Sequence, residues 1–234
     1  MTFISFAQNF EDVMLWRALR HVSQGFFIDV GANDPDRDSV TRAFYDRGWN
    51  GINIEPVDTF HARLKQRRPR DVNLPVGLGS SVGRNVFYVV GESGLGTTDE
   101  AVAERHAADG WQVQKTDIVI DTLSNVCEAH APAEIHFLKI DVEGMEKDVL
   151  MGADFNRWRP WILVIEATEA NSQTPSHEAW EPLLAQAKYD FVYFDGLNRF
   201  YIAHEHPDLR AAFASPPILS TRSFHTLSNT RAWR

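Results

Sequence analysis

Short apolar runs alternate along this chain with stretches whose apolar residues recur at helical spacing. The runs GFFIDVGA (25–32), GINIEPV (51–57), VNLPVGL (72–78), HFLKIDV (136–142), WILVIEA (161–167), DFVYFDG (190–196) and RFYIAHE (199–205) read as strands. Between the first two, Val40, Ala43, Phe44 and Gly48 leave a helical stripe, and TFHARLKQ (59–66) plays the same part before the third. Two successive β-α-β units follow, which predicts an α/β fold with a mostly parallel, Rossmann-like sheet and helices on both faces.

The alternation breaks over about 79–123. NVFYVV (85–90) and TDIVIDTL (116–123) read as extra strands, with a loop and short helix over 93–110 between them. This predicts an insertion at the middle of the sheet, where ligands tend to sit. DGLNRF (195–200) predicts a tight antiparallel hairpin near the C-terminus, and FAQNFEDVMLW (6–16) a helix packed on the sheet. Residues 218–234 show little periodicity and are expected to form a flexible tail behind one domain over 1–217.

Composition narrows the function. With 234 residues, 44% of them hydrophobic, the chain suits one domain with a sizeable core. A net charge of −9 argues against nucleic acid as a partner, despite the basic run KQRRPR (65–70). Cys127 is the lone cysteine, so no internal disulfide and no thiolate metal site is expected. The N-terminus lacks a signal-peptide pattern, and no apolar run approaches the ~20 residues of a membrane span, so a soluble, cytoplasmic protein is expected.

The chemistry concentrates at predicted strand ends. Asp29 and Gly31 close the first strand in FIDVGANDP, where a glycine lets the backbone approach a ligand. Gly31 is followed by Ala32 and Asn33 rather than by the further glycines of a pyrophosphate cradle, which favours a nucleoside without phosphate over a nicotinamide dinucleotide. Glu55 lies 24 positions beyond Gly31, about where an acid accepts from both ribose hydroxyls. A ribose-bearing cation such as S-adenosylmethionine meets that description. The alternative is that Asp29 is a helix cap and Glu55 a surface acid.

Asp141, Glu143 and Glu146 then fall within six positions of HFLKIDVEGMEKDVLMG (136–152). Three readings stand open: Asp141 or Glu143 as a general base, Asp141 with Glu143 and Glu166 as ligands of a hard divalent ion such as Mg²⁺, or first-turn acids that complement a helix dipole. The base is the expected role, with no metal assigned. Lys139, alternating with apolar neighbours, is expected to pair with Asp29 or Asp141. His106 and His177 lack metal-ligand spacing, and Trp111, Trp180, Tyr193 and Phe200 each read first as core or rim.

The chain resembles the FkbM family of S-adenosylmethionine-dependent methyltransferases in residues 6–19, 25–35, 137–152, 159–168 and 189–203, most specifically in LKIDVEG followed by Glu146. The resemblance implies a class I methyltransferase fold and O-methylation of a hydroxyl, and it looks closest to members associated with glycan assembly. It implies that Asp29, Gly31 and Asn33 belong to the methionine-side loop and that Glu55 meets the ribose. It also implies that Gly77 and Leu78 face adenine and that Ser39 meets the methionine carboxylate, unless Ser39 is an N-cap. Asp141 would lie beside the transferred methyl group and Glu143 beside the acceptor. Gln8, Asn9, Glu11 and Asp12 would form a lid. The partners so implied are a small-molecule or saccharide acceptor and a second copy in a homodimer. The rival readings are a methyltransferase-like module that binds a glycan or protein without turnover, and a nicotinamide-dependent oxidoreductase.

Overall fold

The strand-forming runs assemble as a central sheet in the computed structural model, which describes residues 3–91, 95–169, 172, 174–217 and 224–226. In chain order the elements are β1 (Phe3–Ser5), α1 (Glu11–Leu19), β2 (Phe26–Val30), α2 (Arg42–Tyr45), β3 (Asn50–Ile54), α3 (Asp58–Arg67), β4 (Val72–Leu74) and β5 (Gly77–Leu78). There follow β6 (Gly83–Val90), α4 (Glu100–Ala108), β7 (Val113–Asp121), α5 (Leu123–His130), β8 (Phe137–Ile140), α6 (Glu146–Met151) and β9 (Ile162–Glu166). The last are α7 (Glu181–Gln186), β10 (Tyr189–Phe194), β11 (Asn198–Ala203) and β12 (Phe224–Thr226), with short 3₁₀ turns at His177–Ala179 and Pro207–Phe213.

Seven strands form the main sheet in the order β10-β11-β9-β8-β2-β3-β4. The five from β9 to β4 run parallel, and the β10–β11 hairpin adds two antiparallel strands at one edge. Strands covered on both faces carry apolar residues at nearly every position, which explains the unbroken runs in the sequence. Ile28, Ile52, Leu138 and Leu163 pack on one face with Val126, Val149 and Leu184 from the helices. Phe27, Phe137, Ile162 and Val164 pack on the other with Met14, Leu15, Phe44 and Phe213.

Four local features differ from the sequence reading. VNLPVGL is not one strand: β4 ends at Leu74, and after Pro75, which has no N–H for a ladder, the chain crosses to β5 in a separate three-stranded sheet of order β5-β7-β6. The helix expected over 36–49 is confined to the four residues of α2. The end of TDIVIDTL starts a helix, α5, because Thr122 accepts the Asn125 N–H at 3.2 Å as an N-cap. Within the expected tail, β12 pairs in parallel with β1, and the rest of 218–234 lies outside the described residues.

The insertion is built from β6 and β7, antiparallel from Gly83–Ile120 to Val90–Val113, with α4 between them. The Asp99 carboxylate caps α4 by accepting the Ala101 and Val102 N–H groups, and buried His106 sits on that helix. His177 opens a 3₁₀ turn 3.9 Å from Glu181. Trp180 and Phe200 are core residues. Among the described residues no helix is long and apolar enough to cross a membrane.

Candidate active site

The carboxyl ends of β2, β3, β8 and β9 gather the acids that the sequence singles out, in two halves. The first lies over β2 and β3. The Gly31 and Ala32 N–H groups both donate to the Ile54 carbonyl, at 3.0 and 3.1 Å, which draws the loop after β2 across the tip of β3. Gly31 has φ of +78°, and a Cβ there would lie 1.9 Å from the Asp141 carbonyl oxygen, so only glycine permits this approach. Asn33, also left-handed at φ of 48°, donates its N–H to Glu55 Oε2 at 2.9 Å, and Val57 donates to Oε1 at 2.8 Å. Glu55 is 5% exposed, and burial pushes its carboxyl up to about 7.

Asp29 is fully buried below this loop. Thr41 donates its hydroxyl to Oδ2 at 3.0 Å, and Lys139 Nζ lies 3.6 Å from Oδ1. Ser39 accepts from Arg68 Nη2 at 3.1 Å and stands two residues before Thr41, the residue that precedes α2, so it is not the N-cap. Gly77 is hemmed in by the Ile118 and Ile120 side chains, and Leu78 belongs to the buried core.

The second half lies over β8 and β9. Asp141 follows β8 directly, and its N–H donates to the Val30 carbonyl at 3.1 Å, as a further rung between β8 and β2. Glu143 and Gly144 are both left-handed, with φ of 52° and 99°. Glu146 closes the turn: its Oε1 accepts the Val142 and Gly144 N–H groups, each at 3.2 Å, which gives this acid a structural task at the start of α6. From the insertion, Thr97 donates its hydroxyl to the Glu143 carbonyl at 3.2 Å. One carboxylate oxygen each from Asp141, Glu143 and Glu166 lies within 4.8 Å of the others.

Crowding of acids dominates the electrostatics here. Burial, with Asp141 and Glu146 close by, raises Glu143 to about 8, and burial raises Glu146 to about 7. Burial and the same neighbours hold Glu166 well above the usual carboxylate range. Lys139 lies 3.2 Å from Asp141 Oδ2, and although its own burial works against the charge, Asp141 and Asp29 hold its ammonium above the ordinary lysine value. Lys139 thus pairs with both of the acids expected for it and ties one half to the other.

Glu11 and Asp12, the first residues of α1, do not stand free as a lid. Glu11 accepts from Asn198 Nδ2 at 2.9 Å and from the Asn9 N–H at 2.8 Å, while Asp12 accepts the Ser5 hydroxyl and the Phe6 N–H. Both acids are buried. Asn198 is the cross-strand neighbour of Glu166, so its hydrogen bond to Glu11 links the start of α1 to the β9 end of the site.

A family model described as the methyltransferase FkbM domain matches residues 29–192, well over half of the chain and every strand-end acid from Asp29 to Glu166. The chain belongs to the FkbM methyltransferase family. No curated protein matches it. The FkbM match carries a methyltransferase function, and it begins on Asp29 itself, so β1 and α1 precede the matched segment. Glu166 is the FkbM-domain residue that sequence reasoning weighed only as one ligand among alternatives. Its signal is the pattern shared with Glu55, an acid that ends a buried apolar run.

Proposed function

We propose that the chain is an S-adenosylmethionine-dependent O-methyltransferase acting on a hydroxyl group of a saccharide or glycan precursor. The observation that carries this reading is the convergence of Gly31, Glu55 and Asp141 on one mouth of the sheet inside the FkbM match. The residues present suit the cofactor. Glu55 keeps acceptor capacity beyond its two backbone bonds and can take ribose hydroxyl protons. Asp29 Oδ1 and Asn33 Oδ1 are buried without a hydrogen-bond partner among the described residues, beside the glycine that lets a ligand approach. The acidic surroundings favour a cationic cofactor over a phosphate-bearing one.

When bound, S-adenosylmethionine supplies an electrophilic methyl group. The protein would hold donor and acceptor for in-line transfer, and its carboxylates would receive the proton that the acceptor hydroxyl loses as the methyl group passes to it. Asp141, 33% exposed, and Glu143 are the acids placed to take that proton. A base tuned toward the operating pH contributes about 10²–10⁴-fold. The acidic mouth and the net charge of −9 fit a neutral polyol better than an anionic acceptor, in agreement with the saccharide class that the family resemblance implies.

Calorimetric titration with S-adenosylhomocysteine tests the cofactor assignment. Micromolar binding by the wild-type protein is expected, weakened about 10-fold or more in Glu55→Ala through loss of hydrogen bonds to a charged group. Transfer of a labelled methyl group to members of a saccharide panel is the second expectation. Wild-type protein that binds no S-adenosylhomocysteine would overturn the reading and favour a non-catalytic binding module.

A further inference from the structure

Asp141 and Glu143 sit in the loop after β8, but Glu166 comes from a different strand. It ends β9, is 7% exposed, and its Oε2 has no hydrogen-bond partner among the described residues. A carboxylate so buried with a bare oxygen is costly unless something completes it. Glu143 Oε2 is likewise buried without a partner, and both side chains converge with Asp141 within 4.8 Å. The nearest cation, Lys139, touches Asp141 and is shared with Asp29 on the far side, so its single charge faces more acids than it can balance. Thr168, two residues past Glu166, is buried with an unpartnered hydroxyl as well.

We infer that Asp141, Glu143 and Glu166 form a seat for one hard divalent cation, of the Mg²⁺ or Mn²⁺ class. The donor set is all oxygen, without imidazole or thiolate, which selects hard ions over zinc or copper. Three protein ligands leave coordination positions for water and for the acceptor hydroxyl. The inference rests on the methyltransferase reading for the cation's task, though not for the site. In transfer, a hydroxyl oxygen bound to the ion becomes more acidic, and its proton passes to a carboxylate oxygen that the ion leaves free. The site would thereby select acceptors able to present a hydroxyl to a metal.

The test is titration of the cofactor-free protein with Mn²⁺, followed by loss of the free-ion electron paramagnetic resonance signal, with S-adenosylhomocysteine calorimetry run in parallel. One saturable Mn²⁺ per chain is expected, displaced by Mg²⁺ and weakened about 10²-fold in Glu166→Gln. That variant should keep the wild-type affinity for S-adenosylhomocysteine, since Glu166 is not part of the half over β2 and β3. Glu143→Gln, on a loop rather than in the buried strand, carries the same expectation if Glu166→Gln fails to fold. No saturable binding by the wild type, or equal binding by wild type and both variants, would overturn the inference. Mn²⁺ binding without S-adenosylhomocysteine binding would sink the cofactor assignment while leaving the cation seat in place.

Discussion

The two halves of the site surround their buried acids with different neighbours. Over β2 and β3, Glu55 is held by two backbone N–H groups and Asp29 by a threonine hydroxyl and a lysine. Over β8 and β9, Glu143 and Glu166 each keep a buried oxygen without a partner among the described residues, and their neighbours are other acids. The bare carboxylate oxygen of the first half, Asp29 Oδ1, faces a lysine 3.6 Å away, whereas those of the second face other acids and leave it unfinished. On the proposed methyltransferase reading, the difference gives precision to the donor side and leaves ligand-dependent completion to the acceptor side.

The strongest way to break this contrast is to remove the residue common to both halves. Lys139→Met should cost about 3–5 kcal/mol in urea unfolding, because it leaves Asp29 and Asp141 without their buried cation in the middle strand of the sheet. An equally stable variant would show that the acids are balanced from elsewhere. Next comes Gly31→Ala, for which steric conflict with the Asp141 carbonyl and a left-handed backbone predict a loss of about 2–3 kcal/mol. S-adenosylhomocysteine binding should fall with it, and calorimetry on the folded variant separates the two effects.

A pH series sharpens the comparison at α1, where Glu11 is buried yet has partners on both oxygens. Burial first, and Asp195 second, raise its pKa from 4.5 to about 8. The folded state therefore binds a proton that the unfolded chain has released, so this contribution is complete below about pH 4.5 and is lost as pH rises through about 8. Thermal unfolding should show stability falling across that window, and Glu11→Gln should flatten part of the slope. The smallest effect is expected for Thr97→Ala, which removes the hydroxyl that the insertion donates to Glu143. A cost of about 1 kcal/mol, with a larger change in acceptor KM than in cofactor affinity, would mark the insertion as a support of the unfinished half alone.

Much of this arrangement is legible in the sequence, because strand ends can be counted. Unbroken apolar runs locate the tips of β2, β3 and β8, and Asp29, Gly31, Glu55 and Asp141 fall on them. Lys139 stands out as a charge within such a run, and its pairing follows from the need to balance it. Pro75 carries a signal against a single strand over 72–78 that the apolar run obscures, and Thr122 hides an N-cap behind apolar neighbours. The state of Glu143 and Glu166 is beyond sequence reading. Whether a buried oxygen has a partner depends on which elements meet around it, and here those are β8, β9 and a threonine from an insertion far along the chain. Glu11 and Asp12 illustrate the same limit: their polarity suggests a lid, while the partners that bury them come from residues 5–9 and from Asn198.

The point where Gly31 meets the Asp141 carbonyl has a mechanical consequence. At that contact the two loops touch backbone to backbone, with no side chain between them to act as a cushion. A shift in one is passed to the other undamped, like two gears sharing a tooth. Since a misplacement of about 1 Å at a reacting centre costs about 10²-fold, neither loop can drift without the other recording it as lost rate. Variation at either position is then constrained jointly, and an engineer seeking a new acceptor would do better to alter the surroundings of Glu166 than to touch this pair.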